Sequence, residues 1–247
     1  MKAVWQGSLS FGLVNIPVRL YSAVNPKELG FRILCDKCNT PLKYKRWCPS
    51  CKKEVAWQHV LKGLEVSKGL IVPITKEKLD ELKPEKTDTI EIVEFIDLHS
   101  IDPIYFSRHY YIAPAKSKEK AYFLLKEVLQ QTAKGAVARM VMREKEHVCY
   151  VESYKSGMLL TTLNYAYEIR SINQVSELRE KPKLKKEEEQ LAKQIIDKYY
   201  KSKFDISQFR DTFSEKLIEL VKGKKPKVAA KIKKSKTLMQ ALKASVR

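Results

Sequence analysis

The chain has 247 residues, 44% of them hydrophobic, and carries 48 Lys and Arg against 29 Asp and Glu, a formal net charge of +19. A chain of this length buries enough surface to fold without disulfides, and its hydrophobic content excludes wholesale disorder. The excess of positive charge predicts a polyanionic partner, either nucleic acid or an anionic membrane surface.

Residues 3–18 carry no charge, but Gln6, Gly7, Gly12, Asn15 and Pro17 interrupt the stretch, which reads neither as a secretory signal nor as a membrane span. The expectation is a soluble, intracellular protein whose five cysteines meet a reducing compartment. Val14, Ile16, Val18 and Leu20 lie at period two and predict a strand, with Pro17 suggesting an edge position or a bulge. Residues 31–55 form a separate island rich in Cys, Lys and Trp. Residues 69–74 read as a short buried strand, and Thr75 as the N-cap of a brief helix ending at Leu82. Ile90, Ile92 and Phe95 mark another strand that ends near Pro103, and residues 110–113 a further short one.

Ser117 is placed to cap a helix running to Thr132, with Ala121, Leu124, Leu125, Val128 and Leu129 on one face. Three β-rich runs follow at 136–142, 147–152 and 158–165, and their regular spacing predicts a barrel or a strongly bent sheet. The charge-dense run 180–189, containing Pro182, reads as a linker into helices. Leu191, Ile195 and Tyr199 mark one amphipathic helix. Phe209, Phe213, Leu217, Leu220 and Val221 mark a second, with Asp205 or Ser207 at its cap. From Lys222 onward the chain has nine Lys, one Arg and no acid, the composition of a flexible interaction tail.

The strongest local signal is Cys35-x2-Cys38, nine residues, then Cys48-x2-Cys51. Two such knuckles supply four thiolates at the spacing that closes a tetrahedron around one zinc ion, and four sulfur ligands leave no open position for water. The expected metal is therefore structural, and it supplies folding energy to a segment too small for a core of its own. Cys149 sits apart between apolar neighbours and reads as a buried small hydrophobe. Around the knuckles Arg32, Lys37, Lys43, Lys45, Arg46, Lys52 and Lys53 stand against one acid, Asp36, across residues 32–53. A rigid loop of that charge suits a phosphate backbone. No recognition helix is apparent, so base-specific readout has no support.

The opening run 5–21 (WQGSLSFGLVNIPVRLY) resembles the start of the prokaryotic Ku protein. So do KGLE at 62–65, TIEIVEF at 89–95, IDPIY at 101–105, YYIAP at 110–114, KAY at 120–122 and ARM at 138–140, in the same order. The resemblance covers residues 1–220 and implies a homodimer whose β-barrel cores and bridging segments close a ring around duplex DNA. It further implies threading onto broken ends, recruitment of an ATP-dependent DNA ligase for non-homologous end joining, and a cytoplasmic, nucleoid-associated location. The expected fold is α+β: an antiparallel β-barrel core over 1–178, with a zinc-stapled bridge inserted at 26–66. A C-terminal helical arm at 179–221 meets the dimer partner through Phe209, Phe213 and Leu217 and also contacts the ligase. A basic flexible tail at 222–247 follows. Many prokaryotic relatives keep only part of this cysteine set, so zinc rests on the spacing in this sequence.

Two other classes compete. A zinc-ribbon transcription or RNA-processing factor explains charge and cysteines but not the ordered series of motifs. An enzyme such as a nuclease needs a carboxylate cluster, a nucleophile motif or a Gly-rich phosphate loop, and the sequence offers none of these. His59, His99, His109 and His147 are scattered and read as surface or packing residues, and Asp97 and Asp102 as turn stabilisers. Membrane-surface binding lacks an amphipathic anchor with large apolar residues.

Overall fold

The computed structural model describes residues 1–26, 29–82, 88–180, 182–223 and 237–246, and the chain divides into two compact units, Met1–Arg170 and Ser171–Arg247. The first unit contains β1 (Trp5–Phe11), β2 (Val14–Ser22), β3 (Trp47–Cys48), β4 (Lys53–Glu54), β5 (Lys62–Ser67), β6 (Leu70–Ile74), α1 (Lys76–Glu81), β7 (Thr89–Asp97), β8 (Phe106–Pro114), α2 (Lys120–Gln131), β9 (Lys134–Met142), β10 (Lys145–Tyr154) and β11 (Gly157–Leu163). Seven of these strands close a barrel in the order β1-β2-β8-β11-β10-β9-β7. The architecture is α+β, as the pattern of strands and helices predicts.

The barrel departs from the expected antiparallel form at its seam. β1 and β7 run parallel, from Ser8 opposite Thr89 to Ser10 opposite Glu91, while the other neighbouring barrel strands are antiparallel. Antiparallel neighbours are joined by short turns, whereas a parallel pair needs a long connection. Here the connection is the hairpin partner β2 followed by the whole excursion of residues 23–88.

Period-two alternation builds the core. Ile16, Val18 and Leu20 of β2 are fully buried, as are Ala136 and Ala138 of β9 and Cys149 and Val151 of β10. Burial pushes the Cys149 thiol up to about 12, which fits the reading of a small inert hydrophobe. Pro17 is neither on an edge strand nor in a bulge. β2 is flanked by β1 and β8, but its ladder with β8 begins only at Val18, so the imino nitrogen falls beyond it and the Pro17 carbonyl accepts from Ala115 N at 2.8 Å. In β7 the register against β9 shifts between Ile92 and Glu94. Ile90 and Ile92 are buried while Phe95 is exposed, so the three do not share one face.

α2 lies against β2, β9 and β10, and the residue that flanks it on the N-terminal side is Glu119, not Ser117. Its buried stripe is Tyr122, Leu125 and Leu129; Leu124 and Val128, expected on the same face, are exposed. Tyr122 is the pin. Its hydroxyl donates to the Ile112 carbonyl at 2.6 Å and accepts from Met158 N at 3.1 Å, joining the helix to β8 and β11. Burial raises the pKa of the phenol, so it stays a donor at any physiological pH. Tyr122→Phe leaves a buried N–H and a carbonyl short of a partner, and is expected to cost about 1–3 kcal/mol in chemical denaturation. An unchanged midpoint would show that water replaces the hydroxyl.

Between β2 and β7 the chain leaves the barrel. The insertion expected at 26–66 instead extends to residue 88, because β6 pairs with β5 and not with a barrel strand. The β5–β6 hairpin is also exposed along almost its whole length, where the apolar run at 69–74 predicts a buried strand. Thr75 caps α1 as expected, its Oγ1 accepting from Lys78 N at 3.4 Å.

The second unit contains α3 (Lys186–Tyr199), α4 (Thr212–Val221) and α5 (Leu238–Val246). Three glutamates in the first turn suit the positive end of α3, and Lys185 N donates to Glu188 Oε2 at 3.0 Å. The cap of α4 is Asp211, which accepts from Phe213 N and Ser214 N at 3.0 and 3.2 Å; Asp205 caps a separate single turn at Ile206–Gln208. Half of the expected flexible tail, residues 224–236, lies outside the described residues. Its end is helical. α5 packs on α3, with Met239 and Leu242 half-buried and Lys198 Nζ donating to the Ser245 carbonyl at 3.1 Å. Among the described residues, no helix is long and apolar enough to cross a membrane.

Candidate nucleic-acid interface

The excursion begins where Ala23 N donates to His109 O at 3.0 Å, among the described residues the last hydrogen bond to the barrel before the chain turns into the cysteine island. Each C-x2-C folds as a tight turn. In the first, Asn39 N donates to Cys35 O at 2.8 Å and Cys35 N to Thr40 O at 3.0 Å. In the second, β3 pairs with β4, and Cys51 N donates to the Cys48 sulfur at 3.4 Å. The residue after the second cysteine is left-handed in both turns, Asn39 at φ 55° and Lys52 at φ 49°. Asn tolerates that conformation readily; Lys does so at a cost. Two unrelated tripeptide contexts thus share one backbone shape.

That shape favours thiolate at one sulfur of each pair. The Cys38 pKa is lowered, chiefly by hydrogen bonding from Thr40, and the Cys48 pKa by the Cys51 N–H. The pairs remain separate. Among the described residues, no group of three or more His, Cys, Asp or Glu side chains is placed to hold a metal ion. The donor chemistry and turn geometry fit zinc, with each pair standing as a separate half-set among the described residues.

The seven basic residues divide into two kinds. Lys45 Nζ lies 3.0 Å from Glu54 Oε2, an acid just beyond the window in which only Asp36 opposes the bases. Arg46 donates from Nε to the Val55 carbonyl at 3.3 Å, with its guanidinium 5.1 Å from the Trp57 ring centroid. These two bases brace the β3–β4 turn. Arg32, Lys37, Lys43, Lys52 and Lys53 are exposed and make no ion pair among the described residues.

The residues expected at the dimer contact lie in the second unit. Phe209 and Phe213 are exposed, and Leu217 is half-buried. Phe209 precedes α4 instead of lying within it, and its ring is 5.8 Å from that of Phe204. A second apolar surface escaped the sequence reading. On one face of β5–β6, Leu64 lies opposite Val72 with Val66 and Leu70 beside them, each 45–62% exposed. An isolated two-stranded hairpin is marginal in water, so a face of this kind needs cover. The apolar run at 69–74 did show Leu70 and Val72 to be strand-like, while Leu64 and Val66 went unread, and nothing in a single sequence distinguishes a core-facing strand from one awaiting a partner.

A family model described as the Ku70/Ku80 beta-barrel domain matches residues 10–193. Among curated relatives, the "Non-homologous end joining protein Ku" of Archaeoglobus fulgidus is 36% identical over 250 residues, covering 100% of this chain and 98% of its own length. Its Bacillus subtilis namesake is 36% identical over 225 residues, covering 91% of this chain and 72% of the relative. That of Symbiobacterium thermophilum is 34% identical over 255 residues, and this chain spans only 63% of its length.

Proposed function

The chain belongs to the Ku family, and from that premise we propose that it acts as a homodimeric ring on broken ends of double-stranded DNA. In this reading it threads onto the duplex without sequence specificity and recruits a DNA ligase for non-homologous end joining. The observation that carries the reading is the excursion 23–88: a closed barrel interrupted by a long segment whose exposed bases are held on short, braced turns. A barrel alone offers no means of encircling a polymer; a long basic insertion from each of two copies does. The reading assigns the chain no reaction of its own. Family membership leaves the zinc-ribbon transcription or RNA-processing factor without a specific observation in its favour.

The decisive experiment compares linear with covalently closed duplex at the same length and salt. A threading ring binds the linear form far more tightly, and blocking both ends after loading traps the protein. Equal affinity for the closed circle would replace the ring with a surface-binding mode. The tail from Lys222 adds affinity without end preference, because unpatterned positive charge reads phosphate anywhere along the duplex.

Zinc belongs to the same proposal. The matched knuckle turns are the half-sites, and one ion drawing Cys35, Cys38, Cys48 and Cys51 together makes the basic turns one rigid body. Purified protein is expected to carry about one zinc per chain. Cys48→Ser is expected to release it and to expose residues 32–55 to proteolysis, with the barrel still folded. Metal-free protein whose four thiols all react under native conditions would refute the metal. The cytoplasmic, nucleoid-associated location follows from the DNA partner and stands or falls with it.

A further inference from the structure

The barrel lumen changes character at one end. At period two along β8, buried Ile112 and Tyr110 are followed by exposed Arg108, and along β10, buried Val151 and Cys149 by half-buried His147 and exposed Lys145. The apolar core thus gives way to a cationic mouth, a cavity of about 370 Å³ lined by Tyr110, Arg108, His147 and Lys145 together with Arg143, Thr162 and Tyr165. The β9–β10 turn that delivers Arg143 is unusual. Arg143 and Glu144 take φ 53° and 67°, a two-residue left-handed turn in which Asn-Gly is the favoured pair.

The charge there is only partly balanced. Glu168 Oε1 lies 3.6 Å from Lys145 Nζ, and its other oxygen accepts from Tyr165 N at 2.8 Å. Arg108 and Arg143 make no ion pair among the described residues. Thr162 Oγ1 is already engaged, accepting from Arg108 N at 3.1 Å, and the Tyr165 hydroxyl donates to the Glu146 carbonyl at 3.3 Å. What remains unmatched is two guanidiniums beside a half-buried imidazole. Burial, together with the Lys145 and Arg108 charges, lowers the His147 pKa.

We propose that this mouth is a phosphate-binding pocket, with Arg108 and Arg143 as the paired forks on the phosphate oxygens and Lys145 as an additional point charge. Guanidinium forks match tetrahedral oxyanions in geometry as well as charge, and a concave site strengthens them by limiting water. Asn164, Tyr165 and Glu168 line the mouth, and its volume admits a phosphate group with part of the molecule that carries it. That group comes either from inorganic phosphate or a mononucleotide, or from the terminal phosphate of a DNA strand. The pocket lies entirely in the first unit and goes beyond the ring reading without depending on it.

The test follows the His147 imidazole signal by NMR in the full-length protein at constant ionic strength. Inorganic phosphate is one titrant; blunt duplexes bearing 5′-phosphate or 5′-hydroxyl ends are the others. A saturable His147 shift with inorganic phosphate, and the same response to both duplexes, identifies a free-phosphate or mononucleotide site. A shift with the phosphorylated duplex and none with the hydroxyl duplex identifies a strand terminus. In either case Arg108→Gln is expected to weaken the response about tenfold or more. Arg143→Gln, on an exposed turn where folding is not at stake, is expected to act in the same direction. The pocket is overturned if neither phosphate nor phosphorylated duplex moves His147, or if both variants respond as the wild type does. Retention on linear DNA, measured on the same samples, separates that failure from failure of the ring.

Discussion

Replacing Arg32, Lys37, Lys43, Lys52 and Lys53 with Gln is expected to lower duplex affinity by as much as about four orders of magnitude at 0.1 M salt. Each neutralised phosphate contributes about 0.9 to the slope of log K against log salt, so five lost contacts flatten it by about 4.5 at most. The choice of five residues comes from the structure. Lys45 and Arg46 are committed to Glu54, Val55 and Trp57, so changing them alters the β3–β4 turn as well as the charge. The checks are fluorescence anisotropy across a salt series and the lifetime on linear DNA with blocked ends. A slope that barely moves would take the bridge out of contact with phosphate and leave the tail as the binding element.

Leu64→Asp combined with Val72→Asp is expected to convert the proposed dimer to monomer at micromolar concentration. The two residues lie opposite each other on the exposed face of β5–β6, and a buried pair of carboxylates without partners is not tolerated. Barrel stability should be unaffected, because neither residue belongs to its core. Phe209→Ala with Phe213→Ala, in the second unit, tests the other proposed contact in parallel. Sedimentation resolves the outcomes: a monomer from the hairpin variant assigns dimerisation to the bridge, and a monomer from the phenylalanine variant alone assigns it to the arm. Wild-type protein that sediments as a monomer while binding ends tightly would remove the ring.

The sequence announced elements whose burial follows a single period. Ile16, Val18 and Leu20 are legible because β2 keeps its phase throughout, and Thr75 because a cap is a local event. Phe95 was rightly placed in a strand with Ile90 and Ile92, but nothing in the run showed that it is exposed while they are buried. Leu124 and Val128 look like core because apolar residues on α2 cover more than the face that docks. Tyr122 escaped for the opposite reason: a polar-tipped residue in the motif KAY gives no hint that two backbone groups on other strands need its hydroxyl. Of the candidate site, the cysteine spacing and basic clustering were visible. The partition into bracing and free bases depends on Glu54, Val55 and Trp57, which approach only once the turn has formed. α5 was hidden in the Lys-rich tail, where Leu238, Met239 and Leu242 are too few to stand out from the charge.

The parallel seam also decides when the molecule can fold. Strand β1 is made before the other six strands of the barrel, yet its second neighbour, β7, is complete only once residue 97 has been synthesised. Until then the β1–β2 hairpin carries an open edge, and barrel closure waits on a contact of long sequence separation, the kind that slows folding. The same arrangement makes the intervening segment cheap to lengthen. The closure penalty of a flexible loop rises only by about 0.6 kcal/mol for each doubling of its length. A lineage can therefore enlarge or trim its bridge, and with it the aperture of any ring it forms, while the barrel sequence stays as it is.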